Sequence, residues 1–212
     1  MTIKELIVSI RVKNIRGEVD QAVTAIHFDS RKVVPGSVFV AVKGRATDGH
    51  MFIDKAVDRG AVCVITEENV DHISEHVCVL TVENSAEVLA KIAGAFYDYP
   101  SRNLTMVGVT GTNGKTTVAT LLFRLFTELG YKCGLLSTIE NRIGDEVEPT
   151  GYTTPDAVAV QETLARMIEA GCTHAFMEVS SHELDQHRVD GIAWDVAIFT
   201  NITHDQLDYH GD

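Results

Sequence analysis

Basic residues are scarce in this 212-residue chain: 18 Lys and Arg stand against 30 Asp and Glu, giving a formal net charge of −12 with histidine neutral. That balance disfavours a nucleic-acid surface, because phosphate backbones select basic faces. An anionic ligand must be met by local donors and not by the field of the whole molecule. Cysteine is equally sparse. Cys63, Cys78, Cys133 and Cys172 are far apart in sequence and form no CxxC pair. Neither a zinc ribbon nor a disulfide framework is suggested, so reduced core thiols are expected. No apolar run approaches the ~20 residues a membrane span needs. No secretory leader is recognised, and a cytoplasmic protein is expected. The Ser-His-Asp order and elbow motif of a hydrolase are missing. So is an HxxxH-type pair with a base glutamate, and His182, His187, His204 and His210 are read mostly as hydrogen-bonding residues.

What is present is an alternation of apolar strands with helical stretches. SVFVAV (37 to 42), AVCVIT (61 to 66) and HVCVLTV (76 to 82) read as strands. MFIDKAVDRG carries helical spacing and stops at Gly60, while SAEVLAKIAGAFYDYP reads as a helix with Pro100 as its breaker. A boundary is expected near residues 98 to 103, giving domains 1–100 and 101–212. In the second, LTMVGVT is a buried strand running into glycines. Val118, Leu121, Leu122, Leu125, Phe126 and Leu129 then mark an amphipathic helix ended by Gly130. CGLLST is a further strand. TTPDAVAVQETLARMIEAG supplies Thr154 as a cap, Pro155 in the first turn and Gly171 at the exit. THAFMEV and WDVAIFTNI are continuous apolar strands of the kind found inside parallel sheets. The fold class is α/β: a small amino-terminal α/β domain, then a doubly wound central domain of the P-loop type.

Ligands in open parallel sheets sit beyond the carboxyl ends of strands. Three predicted strands finish there in polar clusters: TGTNGKTT, EVSSHELDQHR and TNITHDQLDYHGD. In the first, GVTGTNGKTT (108 to 117) has the lysine and hydroxyl residue of a triphosphate loop. Val109 stands where the strict pattern wants glycine, so the loop reads as a shortened relative. Gly111 and Gly114 let backbone N–H groups approach an oxyanion, and the following helix offers unpaired N–H groups and a positive dipole end. Lys115 would reach the terminal phosphates and Thr116 would hold Mg²⁺. The plainer alternative is a glycine-rich turn with a solvated lysine. Glu178 ends an apolar strand, where a lone carboxylate is costly unless paired or metal-bound. It would take Mg²⁺ opposite Thr116, the alternative being a carboxylate turned to water. Arg188 would bind a phosphate or carboxylate bidentately, or is a surface charge.

These motifs resemble the Mur ligases of bacterial cell-wall synthesis. GVTGTNGKTT by itself would also admit folylpolyglutamate and cyanophycin synthetases. DSRKVVPGSVFVAVKG, TTPDA, MEVSSHELDQHRVDG and FTNITHDQLDYHGD are similar to the branch of the family that adds the third peptide residue. The resemblance covers nearly the whole chain. It implies an ATP-dependent ligase that adds meso-diaminopimelate or L-lysine to UDP-N-acetylmuramoyl-L-alanyl-D-glutamate through an acyl phosphate. It places ATP on Gly111, Thr112, Asn113, Gly114, Lys115, Thr116 and Thr117, gives Lys115 and Glu178 catalytic roles, and makes Thr116 and Glu178 the Mg²⁺ ligands. The uridine-nucleotide and muramoyl-peptide substrate would meet Phe28, Ser30, Arg45, Ala46, Thr47, Thr153, Thr154, Ser180, Gln186 and Arg188. Gln206 stands where the family has a histidine that helps hold a second Mg²⁺, which weakens that second site. Relatives continue with a carbamylated lysine and a carboxyl-terminal domain, so the chain is expected to be an amino-terminal portion, inactive alone. A non-catalytic nucleotide-binding module derived from such a ligase is the alternative.

Overall fold

The computed structural model describes residues 1–44, 47–148 and 155–203. The chain divides into two compact units, Met1–Asp98 and Tyr99–Asp212.

The first unit opens with α1 (Ile3–Ile7), started by a reciprocal cap in which Thr2 and Glu5 each satisfy the other's backbone N–H. The strands β1 (Asn14–Arg16), β2 (Ala25–His27), β3 (Ser37–Val40), β4 (Cys63–Thr66) and β5 (Cys78–Thr81) form a sheet in the order β1-β5-β4-β3-β2. β2 to β5 run parallel and β1 antiparallel to β5. Every residue of β3, β4 and β5 is buried, which is why these strands read as unbroken apolar runs. A 3₁₀ turn (Gly49–Phe52) leads into α2 (Ile53–Asp58), and α3 (Ser85–Phe96) is capped by Asn84, whose side chain accepts from the Ala86 and Glu87 N–H groups. Pro100 is not what ends α3. The helix stops at Phe96, Asp98 and Tyr99 take positive φ, and Pro100 begins a 3₁₀ turn, Pro100–Asn103. Cys63 and Cys78, distant in sequence, are register partners across β4 and β5; all four cysteines are free and buried.

The second unit contains β6 (Thr105–Thr110), α4 (Lys115–Glu128), β7 (Cys133–Leu136), β8 (Asn141–Ile143), β9 (Glu146–Glu148), α5 (Ala157–Glu169), β10 (His174–Glu178), α6 (Ser181–Asp185) and β11 (Val196–Phe199). Its sheet has the order β11-β6-β10-β7-β8-β9. β11, β6, β10 and β7 are parallel, so their carboxyl ends share one edge. Side chains alternate between faces. Met106, Leu136, Ala175 and Met177 pack with Val160, Leu164 and Met167 of α5, whereas Val107, Val109, Leu135 and Phe176 pack with Ala119 and Phe123 of α4.

One element was not foreseen: β8 and β9 add an antiparallel hairpin that the polar run NRIGDEVE did not advertise. Three further sequence expectations are corrected. Asp156, not Thr154, caps α5, its carboxylate accepting from the Val158 and Ala159 N–H groups. Only part of the apolar stripe of α4 faces the sheet. Val118, Leu122 and Phe126 pack there, while Leu121, Leu125 and Leu129 point outward with 59%, 53% and 63% of their surface exposed. Finally, β11 pairs in parallel with β6 but lies at the sheet edge and is largely exposed. Among the described residues, no helix is long and apolar enough to cross a membrane.

Candidate phosphate-binding site

β6 feeds directly into the turn 111–114, and α4 begins at Lys115. Gly111 has φ +129°, and a Cβ there would lie 2.3 Å from Thr200 Oγ1 and 2.8 Å from the Asn201 carbonyl oxygen. Only glycine fits. Gly114 takes the left-handed conformation (φ 86°) as the N-cap of α4 and supplies no capping side chain. The first N–H groups of α4 have no intrahelical acceptor by construction, and a Cβ on Gly114 would meet nothing within 4 Å.

The turn is held from outside by the segment after β11. Thr200 N–H donates to the Thr110 carbonyl (2.9 Å) and Thr200 Oγ1 to the Asn113 carbonyl (2.7 Å). Asn201 accepts from Asn113 N–H (3.0 Å) through its side chain and from Thr112 N–H (2.9 Å) through its backbone, and its amide group donates to the Asn113 carbonyl (3.0 Å). Thr112 Oγ1 and Thr203 exchange two bonds, 2.9 and 3.2 Å. Thr112 and Asn113 therefore spend their backbone donors on scaffolding. Lys115 folds over the turn, its Nζ donating to the carbonyls of Gly111 (2.7 Å) and Thr112 (2.9 Å).

β10 is the neighbour of β6, in register through Glu178 opposite Val109. That register brings Glu178 under the start of α4. Thr116 Oγ1 donates to one carboxylate oxygen and Thr138 N–H to the other. Glu178 is 6% exposed, and among the described residues no ion pair reaches it. A buried carboxylate without a counter-charge beside a hydroxyl is a hard-oxygen pair suited to a divalent cation. Among the described residues, no group of three or more His, Cys, Asp or Glu could hold a metal.

Just past Glu178, Ser180 caps α6: its Oγ accepts from Glu183 N–H (3.3 Å), and Glu183 accepts from Ser180 N–H (2.6 Å). Gln186 Oε1 accepts from Arg188 Nη2 (2.5 Å), and Arg188 N–H donates to the Glu183 carbonyl (2.9 Å). His187 has φ 56° and pairs with Asp190 at 2.7 Å. Glu183 is buried, and burial pushes its carboxyl above the usual range. The hydrogen bonds with Ser180 and the Arg188 charge oppose that rise, and the Glu178 charge adds to it. A raised folded-state value means stability that is full at low pH and falls as the pH climbs through it. Glu183→Gln keeps the capping geometry without the charge. Thermal melts should place it above the wild type at about pH 8 and level with it at about pH 4; equal melting at both ends would contradict the assignment.

In the first unit, Phe28 and Ser30 follow β2 and Thr47 lies beyond β3, all at the carboxyl edge of the parallel strands. Ser30 is 5% exposed, and Arg59 donates to the carbonyls of Arg31 (2.8 Å) and Ser30 (3.4 Å). Arg45, Ala46, Thr153 and Thr154 lie outside the described residues, as do His204, Gln206 and His210. Sequence reasoning did not single out Thr138, Thr200, Asn201 or Glu183. The TNIT that follows an apolar strand was the available signal for Thr200 and Asn201; Thr138 contributes only a backbone N–H, which no side-chain pattern reveals.

Residues 22–97 match the Mur ligase family, catalytic domain, and residues 109–212 match the Mur ligase middle domain. The UDP-N-acetylmuramoyl-L-alanyl-D-glutamate–2,6-diaminopimelate ligase of Cytophaga hutchinsonii is 53% identical across 99% of this chain, which spans 43% of that relative. The ligase of the same description from Parabacteroides distasonis is 48% identical, with the same two shares. The chain thus spans less than half the length of these curated relatives. A solved structure of a UDP-N-acetylmuramoyl-L-alanyl-D-glutamate–2,6-diaminopimelate ligase superposes with a TM-score of 0.82 and 28% identity, covering 100% of this chain and 42% of that one. The MurF ligase of Thermotoga maritima, solved in complex with ADP, gives 0.59 and 26%, covering 92% and 41%. Two successive matches carry the same family across both folding units, and the phosphate turn, the strand-end carboxylate and the TNIT brace all fall within the second: the chain belongs to the Mur ligase family.

Proposed function

We propose that this chain carries the uridine-nucleotide and ATP-binding portion of an ATP-dependent amide ligase of peptidoglycan precursor synthesis. Its substrate is UDP-N-acetylmuramoyl-L-alanyl-D-glutamate, and the added residue is meso-diaminopimelate; the names of the relatives support that amino acid over L-lysine. The observation that carries the reading is the placement of Thr116 and buried Glu178 together beneath the Gly111–Gly114 turn. A carboxylate is a poor electrophile, so transfer of the ATP γ-phosphoryl group to it makes an acyl phosphate. The amine then attacks and phosphate leaves. Lys115 and the N–H groups at the start of α4 bind and orient the phosphates and offset charge that develops on the transferred group. Thr116 and Glu178 would hold Mg²⁺, which would supply further charge neutralisation for the phosphates. Phe28, Ser30, Arg45, Ala46 and Thr47 take the uridine-nucleotide end, and Thr153, Thr154, Ser180, Gln186 and Arg188 the peptide end.

Calorimetry with Mg²⁺ and a non-hydrolysable ATP analogue tests the reading. The 212-residue chain is expected to bind, and Lys115→Ala to lose about 10- to 100-fold in affinity, the worth of a charged hydrogen bond of about 1.5–3 kcal/mol. Absence of heat with the unaltered chain would overturn it. Binding of the UDP-muramoyl dipeptide, with folate as the competing probe, separates this reading from a folate-type synthetase sharing the same turn. ADP release by these residues alone is expected to be absent, because they span 43% of the ligases they match.

A further inference from the structure

The carboxyl edge of the first unit carries a partly buried hydrogen-bond relay that the proposed chemistry does not use. Asp48 Oδ1 accepts from His50 N–H (3.0 Å) and lies 2.6 Å from His50 Nδ1. On the other side of the ring, His50 Nε2 accepts from Glu67 N–H (3.1 Å). An accepting Nε2 carries no proton, so the neutral ring holds its proton on Nδ1 and donates it to Asp48. Glu67, the residue after β4, passes the connection on: its carboxylate accepts from Ser85 N–H (2.8 Å) and Ser85 Oγ (2.7 Å) at the first turn of α3. One imidazole thereby ties the turn after β3 to the end of β4 and, through Glu67, to the start of α3. The side chain is 9% exposed. The turn it anchors is closed at its base by Gly49 N–H donating to the Val42 carbonyl (2.9 Å), by a Lys43–Asp48 bridge, and by Gly44 N–H donating to the Thr47 carbonyl (3.1 Å).

We propose that His50 is a positioning residue for uridine-nucleotide binding: it fixes the Thr47 end of this turn relative to Phe28 and Ser30 without itself touching the ligand. The inference rests on the uridine-nucleotide reading of the first unit. It follows from where the relay sits. The ends of β2, β3 and β4 are adjacent in the sheet, a ligand of a parallel sheet lies beyond them, and the His50 side chain ties the turn there to the end of β4. Ordering Thr47 and Asp48 on binding would cost affinity, and the His50 bonds remove part of that cost before the ligand arrives.

The test uses the whole 212-residue chain titrated with UDP-N-acetylmuramoyl-L-alanyl-D-glutamate, comparing the wild type with His50→Gln, His50→Asn and His50→Ala. Glutamine places an acceptor near the Nε2 position and can still receive the Glu67 N–H, whereas asparagine reaches only toward Asp48 and alanine does neither. Expected are affinities within about threefold of wild type for Gln and lower by about tenfold for Asn and Ala, one buried hydrogen bond's worth. Faster amide exchange at Glu67 should appear in Asn and Ala only, with binding of the Mg²⁺–ATP analogue unchanged in all three. Equal affinities in every variant would overturn the proposal and leave the uridine reading standing. Losses in Asn and Ala that merely track unfolding of the first unit, seen as exchange accelerated across the whole sheet, would make the role structural and overturn it too. No binding by the wild type would remove the uridine reading, and the proposal with it.

Discussion

Replacing Gly111 by alanine is expected to lower the affinity for the Mg²⁺–ATP analogue by about 100-fold or more, from two costs of about 1–3 kcal/mol each. The first is backbone strain, since Gly111 sits at φ +129°. The second is collision: the new Cβ would fall 2.3 Å from Thr200 Oγ1 and 2.8 Å from the Asn201 carbonyl oxygen. The side chain of Thr200 can rotate away, but the Asn201 backbone cannot without giving up its bonds to Thr112 and Asn113. The turn therefore deforms just before Lys115 and the α4 N–H groups, which must meet phosphate. Gly114→Ala is the informative contrast. Its φ of 86° brings strain, but a Cβ there meets nothing within 4 Å, so a loss of about 1–2 kcal/mol, or about tenfold, is expected. Calorimetry on the two variants measures the difference. Equal losses would mean that the brace after β11 is not what gives the turn its shape.

That contrast also separates what the sequence can reveal from what it cannot. The phosphate turn was legible because its determinants are local: glycines, a lysine and a threonine between an apolar strand and a helix. Glu178 was legible because a carboxylate at the end of an unbroken apolar run breaks the pattern. The partners of both were not, since they depend on pairing between distant segments. Asn201 meets Asn113 only because β11 lies beside β6, and Thr138 meets Glu178 only because β7 lies beside β10. The alignment of Cys63 with Cys78 is likewise a consequence of register.

Composition also overstated burial. The stripe on α4 is wider than the face the sheet covers, so Leu121, Leu125 and Leu129 look like core in sequence and are exposed in the fold. WDVAIFTNI has the same apolar signature as the central strands, yet β11 stands at an edge. Periodicity reports which residues could be buried, and strand order decides which of them are. In the other direction, the polar NRIGDEVE forms a hairpin because two short strands extending a sheet edge need little apolar surface. Asp156 caps α5, its carboxylate reaching two helix-start N–H groups at once.

Glu178 is where removing charge and removing contacts should give opposite results for stability. Alanine would strip Thr138 N–H of its acceptor and leave the Thr116 hydroxyl without its partner at a buried site, so Glu178→Ala is expected to cost about 2–5 kcal/mol in thermal or denaturant unfolding. Glutamine can satisfy both groups. Its carbonyl oxygen accepts from Thr138 N–H, and its amide donates to Thr116 Oγ1, which turns from donor to acceptor. Glu178→Gln also relieves the burial of an uncompensated charge, so without Mg²⁺ it should unfold at the same denaturant concentration as the wild type or a higher one. The added ligand reverses that order. A saturating ligand at 100 times its dissociation constant stabilises the folded state by about 2.7 kcal/mol. The wild type should show that gain with Mg²⁺ and the ATP analogue together, and neither variant should show the part that depends on Mg²⁺. If Glu178→Gln kept the full Mg²⁺-dependent gain, the carboxylate would be a structural hydrogen-bond acceptor only, and the cation would have to be held by other groups.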